Sequence, residues 1–142
     1  MYGGVDDFEL LLPKYNTNLT TWFYRINEEE ITLKGNFEQT LIFKENLAKN
    51  YFFYNVYATY SGGDYAKTSV INHNNPNGKR VLLVRDSFSC TFAPFFALGC
   101  KELYTIDLRN TSASLVDYIY EVKPDIVIYL EYPYFEEAKA TF

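Results

Sequence analysis

The second half of this 142-residue sequence predicts an α/β fold built on a parallel sheet, and three observations predict it. Short apolar runs at 81–84, 103–108 and 125–130 have the composition of strands buried on both faces. Amphipathic or apolar stretches of helical length separate them, which implies right-handed crossovers between parallel strands. A Gly or Pro punctuates each return to the sheet, Gly99 after the first helical stretch and Pro124 after the second.

Residues 1–50 read differently, as a β-rich, aromatic lead-in to an α/β portion spanning 51–142. Thr20 to Ile26 and Glu38 to Phe43 are β-branched and aromatic and predict strands, with Lys34-Gly35-Asn36 as a turn between them. Ser61-Gly62-Gly63-Asp64 and the segment His73 to Gly78 carry strong turn chemistry. After Val81-Leu82-Leu83-Val84, the residues Phe88 to Gly99 predict one largely apolar helix. Ser112 or Ser114 can cap a second helix running through about Val122.

Composition limits the function. The net charge is −5, and no cluster of Lys and Arg is present, so nucleic acid is not an expected partner. No apolar run is long enough to span a bilayer. Aromatic residues make up 19% of the chain, with 14 Tyr, which fits either an aromatic core or a surface for carbohydrate or protein. Cys90 and Cys100 fall in one predicted helix, roughly 15 Å apart at 1.5 Å per residue, too far for a disulfide. No metal-ligand spacing surrounds them, and neither a metal nor another cofactor is expected.

Ligands of open parallel sheets sit beyond the carboxyl ends of the strands. Asp86 and Ser87 follow the first predicted strand, Asp107 and Arg109 end the second, and Glu131 ends the third. A serine at the start of a helix, near free N–H groups, can act as a nucleophile if a base is supplied. Asp and Ser are equally favoured as simple N-caps, and position alone leaves both readings open. Gly63, in the loop 61–64, could bring a backbone donor beside Ser87 or merely form a tight turn. The single histidine, His73, lies in a polar turn without an accompanying Asp-x-His motif and is expected to be solvated.

Val81-Leu82-Leu83-Val84-Arg85-Asp86-Ser87-Phe88-Ser89, then Ile106-Asp107-Leu108-Arg109 and Lys123-Pro124-Asp125-Ile126-Val127-Ile128, resemble the SGNH hydrolase-like superfamily. The branch they most resemble holds the DHHW proteins and the bacterial alginate O-acetyltransferases. The resemblance covers roughly residues 60–135, and the opening Tyr2-Gly3-Gly4-Val5-Asp6-Asp7-Phe8 is similar to that branch too. It implies a three-layer, flavodoxin-like sheet, here partial, with Ser87 in the nucleophile position of an Asp-Ser-aromatic-Ser motif. It also implies acyl transfer to or from a carbohydrate hydroxyl through an acyl-serine, at the surface of a bacterial cell. Arg109 would hold an acyl oxygen or an anionic sugar, unless it only pairs with Asp107; Asp86 and Gly63 would line the oxyanion or substrate region, and Tyr134 the acceptor site.

Two departures stand out. Arg85 occupies the position where the signature has Gly. The family's catalytic Asp and His lie in an Asp-His-His-Trp-like segment before the nucleophile, and this sequence has no such segment. The chain is therefore expected to be the C-terminal portion of a longer protein, inactive alone, with its leader or anchor upstream. A homo-oligomer covering an open sheet edge is also compatible with the sequence. The rival reading is a non-catalytic carbohydrate-binding or assembly module on a degenerate scaffold of the same type.

Overall fold

The computed structural model describes residues 9–24, 29–47 and 56–132. Its centre is a six-stranded mixed sheet in the order β2-β1-β3-β5-β4-β6, so the fold is α/β. The strands are β1 (Leu19–Tyr24), β2 (Glu30–Gly35), β3 (Lys67–Asn72), β4 (Arg80–Arg85), β5 (Glu102–Ile106) and β6 (Ile126–Leu130). β5, β4 and β6 run parallel, as the sequence predicts for its three apolar runs. β2, β1, β3 and β5 pair antiparallel, which the sequence reading did not anticipate. β2 and β3 alternate polar with apolar residues and have too few aliphatic positions to announce themselves. In β3 the inward positions are Thr68, Val70 and Asn72, and only one of these is aliphatic.

The predicted strand from Glu38 to Phe43 is instead mostly helix, α1 (Phe37–Leu41). Its cause is local. Asn36 Oδ1 accepts from Gln39 N at 2.9 Å, and Asn36 N donates back to Gln39 Oε1 at 3.0 Å, a reciprocal capping box. That cap overrides the β propensity of Thr40 and Leu41. Asn36→Ala is expected to cost about 1 kcal/mol, read as a shift in urea midpoint; an unchanged midpoint would mean that packing alone holds α1.

The single helix expected from Phe88 to Gly99 is also broken. A 3-10 turn covers Ser87–Cys90, and α2 (Ala93–Ala97) starts afresh after it. Pro94 explains the break: it has no N–H to donate to the carbonyl of Cys90, and its ring fits only in a first helical turn. α3 (Leu115–Val122) forms as predicted, with the Ser114 hydroxyl accepting from Asp117 N at 3.3 Å.

The core lies on both faces of β4 and β5. On one face Val81, Leu83 and Leu103 meet Ala97 of α2, Phe23 of β1 and Phe37 of α1. On the other, Leu82, Val84 and Ile106 pack under Tyr118 and Val122 of α3. β4 is consequently buried from Val81 through Arg85. Both cysteines are buried and free.

Candidate functional site

Parallel pairing brings the carboxyl ends of β5, β4 and β6 to one edge of the sheet, and the candidate site forms there. β4 ends at Arg85, and Asp86 caps the turn that carries Ser87. Asp86 Oδ1 accepts from Phe88 N at 2.9 Å and Oδ2 from Tyr132 N at 2.7 Å. The Ser89 hydroxyl donates to the Leu130 carbonyl at 3.4 Å. These bonds tie the serine turn to the end of β6. Asp86 is thereby a buried clasp with both carboxylate oxygens engaged. The Ser87 side chain is half-buried, and its hydroxyl has no hydrogen-bond partner among the described residues. The turn spans four residues, too short for a helix dipole to act on Ser87.

The antiparallel β3 adds what the sequence did not foresee. Its start lies beside the end of β5, where Asp107 N donates to the Ala66 carbonyl at 3.0 Å. Asp64 therefore joins the site edge, and a charged cluster of Asp64, Arg85, Asp107 and Arg109 forms behind the serine turn.

Arg85 is its centre, with only 3% of its surface exposed. Its Nη1 donates to Asp64 Oδ1 at 3.1 Å and its Nη2 to the Tyr65 carbonyl at 3.0 Å, and Nη1 lies 3.7 Å from Asp107 Oδ2. The signal was present: an arginine that closes an apolar, doubly buried strand must find carboxylates nearby.

Arg109 forks onto Asp107, Nε to Oδ1 at 3.0 Å and Nη2 to Oδ2 at 2.6 Å, and Asp64 Oδ2 lies 3.7 Å from the same nitrogen. Its guanidinium is thus held by carboxylates in the manner of the ion-pair alternative, yet remains 49% exposed. Asp107 is fully buried. Burial alone would push its carboxyl up, but the hydrogen bonds from Arg109 and the charges of Arg109 and Arg85 outweigh this and hold it below the usual carboxylate range. The same bonds raise Arg109 further above its ordinary value.

Cys90 faces this cluster, its Sγ 3.5 Å from Asp64 Oδ1 and 3.6 Å from the Gly63 carbonyl. Burial pushes its thiol up to about 11 against the pull of Arg85, which favours the protonated form at neutral pH. Gly63 has φ near 114° and turns its carbonyl, rather than a donor, toward this thiol. Glu131, at the end of β6, accepts from the Tyr129 hydroxyl at 2.7 Å. Tyr134 lies outside the described residues, as does the opening segment 2–8.

His73 is remote from the site. It follows β3 at the end that pairs with the start of β5, and Asn72 N donates to the Lys101 carbonyl there. The length of β4, on the order of 17 Å at about 3.3 Å per residue, separates that edge from Ser87. The His73 ring is within hydrogen-bond distance of the Thr20 hydroxyl (2.9 Å), on the surface, and cannot act as base to Ser87. Among the described residues no group of His, Cys, Asp and Glu is arranged to hold a metal ion.

No protein-family model and no curated protein matches this chain. Solved structures do match. Bacillus cereus PatB1 with a sulfonyl adduct superposes with a TM-score of 0.63 at 21% identity, covering 79% of this chain and 35% of that one. PatB1 without the adduct gives 0.63 at 22% identity over 79% and 34%. A DHHW family protein from Eubacterium siraeum DSM 15702 gives 0.56 at 20% identity over 81% and 35%. The chain is thus similar in fold to PatB1 and to a DHHW family protein, and it spans about a third of the length of each.

Proposed function

We propose that this chain is the nucleophile-bearing C-terminal part of an SGNH-like O-acyltransferase or esterase that acts on cell-surface carbohydrate. Ser87, in the Asp86-Ser87-Phe88-Ser89 motif, is its nucleophile, on a three-layer, flavodoxin-like sheet of which these residues form a portion. The observation that carries this reading is the Ser87 hydroxyl, half-buried and without a hydrogen-bond partner among the described residues, at the carboxyl end of a doubly buried strand. The likeness in fold to PatB1 supports it. A sulfonyl adduct, which PatB1 carries, is the kind of product that an activated nucleophile gives.

The chemistry needs a base that takes the Ser87 proton as Oγ attacks the acyl carbon, and later returns a proton to the leaving group. His73 is too remote to serve; in this reading the base is an Asp–His pair that precedes these residues in the intact protein, which acts at the surface of a bacterial cell. Arg109 keeps half of its surface open beside the turn and would meet an acyl oxygen or an anionic sugar.

Fluorophosphonate labelling tests this. Ser87 is expected to be modified in the full-length gene product and not in the 142-residue chain. Ser87→Ala in the long form is expected to abolish turnover while leaving the unfolding midpoint within about 0.5 kcal/mol of the parent. Turnover that survives Ser87→Ala would sink the assignment.

A second reading, a non-catalytic carbohydrate-binding or assembly module, draws on Arg85. An arginine locked between carboxylates stands where a strained glycine would otherwise shape a nucleophile turn. Absence of labelling in both forms would favour that module.

A further inference from the structure

We infer that a small cavity beneath the serine turn is a binding site for one water molecule, which joins the sheet to the loop that carries Asp64. The inference is independent of the acyl-transfer reading, because no step of that chemistry uses the cavity.

The cavity has a volume of about 10 Å³, and its polar lining is Thr105, Thr68, Ser61, Arg85 and Cys90; the rest of its wall is apolar. Thr68 and Thr105 face each other across β3 and β5, in a layer whose next pair is Val70 and Leu103. Threonines paired across strands ordinarily bond to one another. These do not. Thr105 is only 2% exposed, and its Oγ1 is buried without a hydrogen-bond partner. Thr68 and Ser61 are also buried, and neither hydroxyl makes a hydrogen bond among the described residues. Three buried hydroxyls with unused bonding capacity therefore meet at one small space.

The occupant follows from size and chemistry. Leaving a buried hydroxyl unmet is costly, and a polar cavity with room for a single water and two to four partners is where protein interiors hold one. Each hydroxyl offers one donor and two acceptor positions, so the three can satisfy a water's two protons and its lone pairs. A metal ion does not fit: among the described residues no carboxylate lines the cavity, and Arg85 puts a positive charge beside it. The water's place gives it a role. Thr105 and Thr68 belong to the sheet, whereas Ser61 opens the left-handed loop 61–63. Asp64 follows that loop, bonds Arg85 at 3.1 Å and lies 3.7 Å from Arg109. A water between Ser61 and the two threonines fixes the loop to the sheet and so sets where Asp64 stands.

Two valine substitutions in the full-length gene product decide the matter, because valine keeps threonine's shape and drops its hydroxyl. Thr105 and Thr59 both bury an Oγ1 without a partner, but Thr59 does not line this cavity. Thr59→Val is expected to raise the urea midpoint, since it removes a hydroxyl that nothing meets. Thr105→Val is expected to lower it, by about a fivefold loss in the folding equilibrium constant, since it strips a partner from a bound water. A crystal structure of the full-length product is expected to show an isolated water about 2.5–3.0 Å from Thr105 Oγ1. A Thr105→Val midpoint that rises would overturn the inference, because the hydroxyl would then be unmet in a dry cavity. So would a crystal structure with no water there, or with Thr105 Oγ1 bonded directly to another side chain.

Discussion

Arg85→Met is expected to destabilise the chain by about 3–5 kcal/mol, the largest effect of any single substitution outside the hydrophobic core. Methionine matches the length of the arginine stem and keeps its apolar contacts, so the loss isolates the guanidinium. Without it the buried Asp107 keeps Arg109 but loses its second cation. Asp64 loses a 3.1 Å bond, and the Tyr65 carbonyl loses its donor at 3.0 Å. Removing a whole buried ion cluster can be neutral; removing one member strands the others. Urea denaturation checks this, and a shift below about 1 kcal/mol would mean that water or local rearrangement rescues the carboxylates.

Asp107→Asn is expected to cost about 2–4 kcal/mol near neutral pH and, more tellingly, to change how stability depends on pH. The carboxyl of Asp107 titrates lower in the folded chain than in the unfolded one. The folded state therefore releases that proton more readily, and the group contributes stability that is fully present above its unfolded value near 3.9. This contribution disappears as the pH falls from there through the lower, folded value. Urea midpoints between about pH 2.5 and 7 should fall at the acid end in the parent and fall less steeply in Asp107→Asn. Parallel curves would show that other carboxylates carry the acid sensitivity.

Both predictions concern residues that the sequence exposed unequally. β4 and β6 were legible because each is a short, uniformly apolar run, and α3 because Ser114 and Pro124 bracket it. Asp107 and Arg109 were legible with Ser87, since carboxyl ends of parallel strands converge. Asp64 was not, because its place depends on β3, whose inward face mixes Thr68 and Asn72 with one valine. α1 was misread because β propensity at Thr40 and Leu41 was weighed without the cap at Asn36 and Gln39. The short serine turn was misread because Pro94 was weighed as part of a helix instead of as its new beginning. In each case a local side-chain bond or a missing N–H outweighed the average preference of the segment.

The loop at 61–63 and the serine turn differ in one further respect. Ser61, Gly62 and Gly63 have φ values of 60°, 71° and 114°, whereas no residue from Arg85 to Cys90 has a positive φ. A side chain at Gly62 would place its Cβ 3.0 Å from the Tyr65 hydroxyl and 3.1 Å from the Phe43 ring. Left-handed backbone is thus confined to the neighbouring loop, and the serine turn is shaped by polar cross-links instead. Over evolutionary time, the position before Asp86 is accordingly free of any demand for glycine, provided its occupant can satisfy Asp64 and Asp107. Gly62 has no such latitude, because any side chain there meets the Tyr65 hydroxyl and the Phe43 ring.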